Sequence, residues 1–273
     1  MSTNTITPEV ETMKTHLKQI WVAGDYDPFS RHVERNVRGF YERLLVVPGY
    51  RLLDVGSGAG QLALMAAKDG LDVTGVVIAS NSVERARARA RAEGLEVRFE
   101  EADVEALPFA NASFDVVARR IGAMFAPRPE PVAKELLRVC KPGGTMAMAN
   151  WTVQGFVGQM FKAVSTFIAP SEMPSPVLWG DETTVRERLG KGLSELLLAQ
   201  RHYTRNYPFP PSEAVEFFRL YYSPTNQAFT SLDTDGRERL SRELEALWPA
   251  HNRAGKDCTT VFAEYLEVIG IRA

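Results

Sequence analysis

Leu52-Leu53-Asp54-Val55-Gly56-Ser57-Gly58-Ala59-Gly60-Gln61-Leu62 is the stretch that decides the fold. An apolar strand signal runs into a glycine-dense turn, and a helix-forming run from Leu62 to Lys68 begins directly behind it. Glycine tolerates positive φ and lets a ligand approach the main chain closely. The free N–H groups of a helix N-terminus then point at whatever occupies the turn. A dinucleotide fingerprint needs G-x-G-x-x-G/A, but counting from Gly56 puts Gln61 at the third small position. A P-loop needs Gly-Lys-Ser/Thr, which the chain lacks. What remains is Asp54-x-Gly56-x-Gly58-x-Gly60, a nucleotide-handling turn or a plain structural connection.

Downstream of this turn, strand and helix signals alternate. Strands are predicted at 51–55, 72–78, 96–101, 113–118 and 145–151, and helices at 61–69, 82–93 and 131–140. Such alternation means βαβ units and a parallel sheet. Gly70, Gly94 and Gly143-Gly144 stand where helix C-caps or turns are expected. Two further strands, 196–207 and 259–271, are predicted to form an antiparallel hairpin. About 45 residues of helical pattern lie between them, far more than a turn needs.

Asp54-x-Gly56-x-Gly58-x-Gly60, Ala102-Asp103-Val104-Glu105, Leu107-Pro108-Phe109, Phe114-Asp115-Val116-Val117 and Lys141-Pro142-Gly143-Gly144 occur in this order across residues 50–151. Together they resemble the motifs of class I S-adenosylmethionine-dependent methyltransferases, in particular small-molecule enzymes related to the quinone C-methylating ones. The resemblance implies a Rossmann-like α/β sheet of seven strands, the last antiparallel, with a helical lid and insertions. It implies a lid over residues 1–45 and a methyltransferase domain over 46–273, with substrate-side insertions at 152–178 and 210–256. It also implies S-adenosylmethionine as cofactor, held by Asp54, Gly56, Ser57, Gly58, Gly60, Ile78, Asp103, Val104 and Arg119. In that set the glycine turn packs on the methionine and ribose part, Asp54 acts near the amino group, and Asp103 accepts from the adenine amino group. Arg119 and Arg120 face the edge of the site, or else reach solvent as a strand-end pair.

One position departs from the pattern. The second strand of such enzymes ends in an acidic residue that binds both ribose hydroxyls, and here Val77 stands in its place. Valine accepts no hydrogen bond. Ser80, Asn81 or water can substitute, cofactor binding can be weakened, or the chain can have kept the fold and left methyl transfer behind as a sensor, scaffold or other enzyme.

The 273 residues carry a net charge of −2, which gives no electrostatic case for nucleic acid. The alternating arginines Arg85, Arg87, Arg89 and Arg91 spread around a helix and read as a solvated face. Cys140 and Cys258 show no metal-ligand spacing, so no metal is expected. No apolar run is long enough to span a membrane, and the polar first ten residues point to a cytoplasmic protein. Oligomeric state leaves no signature.

The expected function is transfer of a methyl group to an O, N or C atom of a hydrophobic or aromatic small molecule. Phe217, Phe218, Tyr221 and Tyr222 recur at helical spacing, either as a core face or as the wall of an aromatic chamber. A base is needed only if the acceptor must lose a proton. The candidates are His251, beside Trp248, then His32 and His202, with Tyr26 and Tyr221 as hydrogen-bonding alternatives. His251 and Tyr26 are the favoured catalytic pair.

Overall fold

The computed structural model describes residues 7–23, 37–167 and 173–273. Seven strands form one sheet: β1 (Arg51–Val55), β2 (Asp72–Val77), β3 (Arg98–Glu101), β4 (Phe114–Arg120), β5 (Cys140–Trp151), β6 (Leu193–Tyr207) and β7 (Thr259–Arg272). Their spatial order is β3-β2-β1-β4-β5-β7-β6. The first five pair in parallel, and β7 runs antiparallel to both β5 and β6. This is the Rossmann-like sheet with an antiparallel closing strand that the motifs imply.

Helices cover both faces, so the central strands read as apolar runs rather than alternating ones. Leu52, Leu53 and Val55 are all fully buried in β1. Asp54 is buried among them, an exception that belongs to the site. The β1 turn leads into α3 (Gln61–Lys68), β2 into α4 (Ser80–Ala92), and α5 (Pro129–Val139) returns the chain to β5. After β3 the chain crosses from one side of β1 to the other, and this reversal opens a crevice at the C-terminal ends of β1 and β4.

Two groups of helices lie outside this frame. Before β1 come α1 (Pro8–Ala23) and α2 (Val37–Glu42). After β5 come α6 (Phe156–Ser165), α7 (Glu182–Leu189) and, between β6 and β7, α8 (Pro211–Tyr221), α9 (Ser223–Ser231) and α10 (Thr234–His251). Asp181 caps α7 by accepting from Thr184 N–H at 2.8 Å, as its sequence position predicts. Leu240, Leu244 and Trp248 recur every four residues on α10 and are fully buried, the apolar stripe of an amphipathic helix. Trp248 meets Phe156 and Phe218 at ring distances of 4.7 and 4.8 Å, which locks α6, α8 and α10 together.

Several predicted boundaries move. β5 begins at Cys140 rather than Thr145, because Cys140 pairs with Phe114 across a register shift. β4 runs on to Arg120, which pairs with Ala149. The β4 extension carries chain toward the crevice, whereas the β5 extension lies at the opposite end of the strand, beside Phe114.

Candidate functional site

The site is built where β1 ends. Gly56 and Ser57 both donate backbone N–H groups to the Val76 carbonyl, at 2.8 and 3.0 Å, which turns the chain back over β2. Gly56, Gly58 and Gly60 all have positive φ. A Cβ on Gly56 would lie 2.8 Å from the Ala123 nitrogen, so the turn needs glycine for space as well as for conformation. Gly60, at φ +84°, is the N-cap of α3, and its missing Cβ makes room for the Phe99 ring. Opposite the turn, Ile121 holds φ at +59° immediately after β4. A β-branched residue rarely adopts this conformation; such strain costs of order 1–3 kcal/mol and persists only where the surroundings enforce it.

Asp54 is 2% exposed. The Ala63 backbone N–H bonds its carboxylate, yet Oδ2 has no partner. Burial pushes its pKa up to about 7, against the pull of the Arg120 charge and the Ala63 bond. The group therefore stands near its ionisation point at neutral pH and would gain from a nearby cation. The Ser57 hydroxyl, also buried on the cavity wall, has no partner either.

At the far end of the crevice, Asp103 Oδ1 accepts from Glu105 N–H at 2.9 Å and Oδ2 from Lys14 at 2.5 Å. Lys14, on α1, also reaches Glu105 at 2.7 Å. Glu105 in turn accepts from the backbone N–H and Nε of Arg128. Lys18 pairs with Glu101, and Asn81 Nδ2 donates to the Val22 carbonyl at 2.8 Å. Helix α1 is thus tied down along the crevice, with Lys14, Leu17 and Trp21 on the cavity wall.

One continuous cavity joins these parts. Asp54, Gly56, Ser57, Gly58, Ile78, Asp103 and Val104 of the expected cofactor set line it, as does Val77. Gly60 and Arg119 of that set do not. Arg119 is fully buried elsewhere, bonded to Asn150 and stacked on Trp179 at 4.4 Å, and burial lowers its pKa to about 9. Its neighbour Arg120 takes the wall position instead, since successive side chains of a strand point to opposite faces.

Beyond Asp54 the cavity widens into an apolar chamber. Phe125, Trp151, Val157, Met160, Phe218 and Tyr222 line it, with Arg205 from β6 among them. Of the aromatic cluster on α8, Phe218 and Tyr222 belong to this wall. Phe217 and Tyr221 pack on each other and, through Phe217, on Tyr207 and Phe209.

The structure does not bring the favoured base to the cavity. His251 packs at a tilt against Phe156, with ring centroids 5.3 Å apart, and lies 3.2 Å from Gln159 Oε1, and burial lowers its pKa. The fully buried Trp248 one turn earlier fixes that face of α10 in the packing between helices. His202 stacks on Phe262 on the hairpin. Tyr26 and His32 lie outside the described residues. No His, Cys, Asp and Glu grouping suited to a metal occurs among the described residues, and no helix there is long and apolar enough to cross a membrane.

The sequence reading missed Lys14, Trp151 and Arg205 as site residues, and it placed Arg120 at the site edge but chose Arg119 for the cofactor set. Lys14 and Arg205 carry no local signal, because their places depend on helix docking and strand pairing far along the chain. Arg120 was separable from Arg119 only by knowing which face of β4 meets the crevice.

Comparison with known proteins agrees with this architecture. Residues 53–148 match the family described as "Methyltransferase domain". An uncharacterised protein of Mycobacterium tuberculosis is 34% identical over 253 residues, spanning 90% of this chain and 92% of its relative. Methyltransferase GfsG of Streptomyces halstedii is 40% identical over 141 residues, 50% of this chain and 51% of that protein. Among solved structures, a putative methyltransferase of Bacillus halodurans superposes with a TM-score of 0.59 at 17% identity, covering 87% of this chain and 98% of the other. At that identity the likeness speaks for the fold.

Proposed function

Residues 53–148 belong to the methyltransferase domain family, and on that premise we propose that the chain is a class I S-adenosylmethionine-dependent methyltransferase that transfers a methyl group to a hydrophobic or aromatic small molecule. The observation that carries this reading is the single cavity joining Asp54, the glycine turn and Asp103 to the Trp151–Phe218–Tyr222 chamber. The donor's chemistry fits the residues present. The unpartnered Oδ2 of buried Asp54 suits an ammonium group, and Gly56 and Gly58 put side-chain-free backbone on the cavity wall. Asp103 and the Val104 backbone suit an adenine edge.

When bound, the cofactor supplies a methyl group on a sulfonium, already an excellent leaving group. The protein's work is then alignment and exclusion of water. Asp54 and Asp103 fix the two ends of the donor. Helix α1 acts as a lid, with Trp21 against Phe125 at 5.3 Å over the chamber. Of the motifs that resemble those of quinone C-methylating enzymes, only the glycine turn and Ala102-Asp103-Val104 line the cavity, so the resemblance does not identify the acceptor.

Calorimetric titration with S-adenosylmethionine and S-adenosylhomocysteine tests the reading. Binding of both is expected. No binding at millimolar concentrations would favour the alternative, a methyltransferase fold that has lost methyl transfer, for which Val77 is the motivating residue.

A further inference from the structure

We infer that Arg119, with Asn150 and Arg188 beside it, binds a small monovalent anion of the size of chloride where the turn Pro176–Gly180 packs against the sheet. None of these residues lines the cavity, so the site is separate from the one that methyl transfer would use.

The Arg119 guanidinium lies over the Trp179 ring at 4.4 Å, and the Arg188 guanidinium over the same ring at 4.6 Å. Arg119, Asn150 and Trp179 are all fully buried, and Arg188 on α7 is partly so. Arg119 Nη2 donates to Asn150 Oδ1. That leaves Arg119 Nε and Nη1, Asn150 Nδ2 and Arg188 Nη1, four buried nitrogens with no acceptor. Each is a donor only, so they cannot satisfy one another. Buried donors in a folded protein are normally paired, and a group of them around one side chain calls for an acceptor.

Charge decides what that acceptor is. A guanidinium keeps its proton inside a protein, so Arg119 carries a full positive charge into the core. The charge that acts on it is that of Arg188, which has the same sign. Glu130 and Glu187 act on Arg188, but both are exposed, and neither forms an ion pair with it. The Trp179 ring softens the two charges without neutralising them. A water molecule would accept the hydrogen bonds and leave the buried charge unpaired, which is costly. An anion answers both needs. The enclosure selects a halide, because the cost of dehydration rises steeply with charge and so weighs against sulfate or phosphate.

The site backs onto the acceptor wall. Gly180 ends the turn so close to β5 that a Cβ there would lie 2.0 Å from the Trp151 carbonyl oxygen. Asn150 directly precedes Trp151, whose side chain lines the cavity. An anion held by Arg119, Asn150 and Arg188 fastens β4, the end of β5 and α7 together behind that wall.

Thermal unfolding in sodium chloride, compared with sodium gluconate at equal ionic strength, tests the site. Gluconate is too large to enter a buried position. Tm is expected to rise by about 2–4 °C as chloride increases and then to level off, as binding to one site requires. Crystals grown in sodium bromide should show an anomalous scattering peak within hydrogen-bond reach of Arg119. Arg119→Met exchanges the buried charge for an apolar chain and should make Tm independent of chloride. Arg188→Met, at a partly buried position, gives a second reading should Arg119→Met fold poorly, and should weaken the chloride response. Equal Tm in the two salts, a chloride response untouched by these substitutions, or ordered water only beside Arg119 in the bromide crystals overturns the inference.

Discussion

The Lys14 ammonium lies 2.5 Å from Asp103 Oδ2, so the first helix of the chain holds the carboxylate expected to meet the adenine. Lys14 is 13% exposed and Asp103 31%. The pair is therefore partly screened, and its worth falls short of a buried ion pair. Lys14→Met should loosen α1 over the crevice. Stopped-flow measurement is expected to show S-adenosylhomocysteine leaving about three- to tenfold faster.

Asp54 links stability to pH. Its folded pKa of about 7 lies above the ordinary aspartate value of 3.8. Between those values the folded state holds a proton that the unfolded state has lost, so stability falls as pH rises through that window and stays low above it. Asp54→Asn should remove this slope and stabilise the free protein at pH 7.5, as urea unfolding would show, while weakening cofactor binding. In the native protein, S-adenosylhomocysteine binding at pH 6 should release a proton from Asp54. Calorimetry in buffers of different ionisation enthalpy reads that release directly.

Val77 ends β2 on the cavity wall, where an acidic residue would reach the ribose hydroxyls. Of the expected substitutes, neither lines the cavity: Ser80 is exposed at the start of α4, and Asn81 donates Nδ2 to Val22 while its buried Oδ1 has no partner. Val77→Asp should tighten S-adenosylhomocysteine binding roughly tenfold to hundredfold, the worth of one charge-assisted hydrogen bond. An unchanged or weaker dissociation constant would show that this position is not the deficit.

Gly56 and Gly58 separate conformation from space. Both have positive φ, but a Cβ on Gly58 would meet only the Gln61 side chain at 3.9 Å, whereas one on Gly56 would strike backbone. Gly58→Ala should cost about 1–2 kcal/mol from conformation alone. Gly56→Ala should cost measurably more in urea unfolding and should abolish cofactor binding.

Glu267 is 3% exposed and accepts from both Arg43 and Arg201, tying the segment after α2 to β6 and β7. Removing one partner of a buried pair strands the other charges. Because Arg43 and Arg201 are 33% and 41% exposed, the loss for Glu267→Gln is expected to be about 2 kcal/mol in urea unfolding.

The cofactor half was legible because its signals are local. Strand, glycine turn and helix follow within Leu52–Lys68, and Asp103 lies two residues past β3, a strand that sequence alone locates. The parallel pairing of the first five strands followed from the same alternation. The acceptor half was legible only in part: Phe218 and Tyr222 stand out by their helical spacing, but the end of β5 and β6 reach the wall through packing across the whole chain. His251 illustrates the difference. Its nearness to Trp248 in sequence suggested a chamber, but Trp248 is fully buried and holds that face of α10 among other helices. Arg119 shows the same limit at smaller scale, since a one-residue difference along β4 decides between core and cavity.

Trp151 closes β5 and stands at a divide in the chain. Residues 54–104 hold the hydrogen-bonded turn and the carboxylates that face the donor, while Val157, Met160, Arg205, Phe218 and Tyr222 all follow Trp151. A gene copy can therefore accumulate changes in its later half and acquire a new acceptor without disturbing donor recognition. Descendants of one such chain would share a methyl source and differ in what they decorate, and the point where their sequences part company should fall close to Trp151.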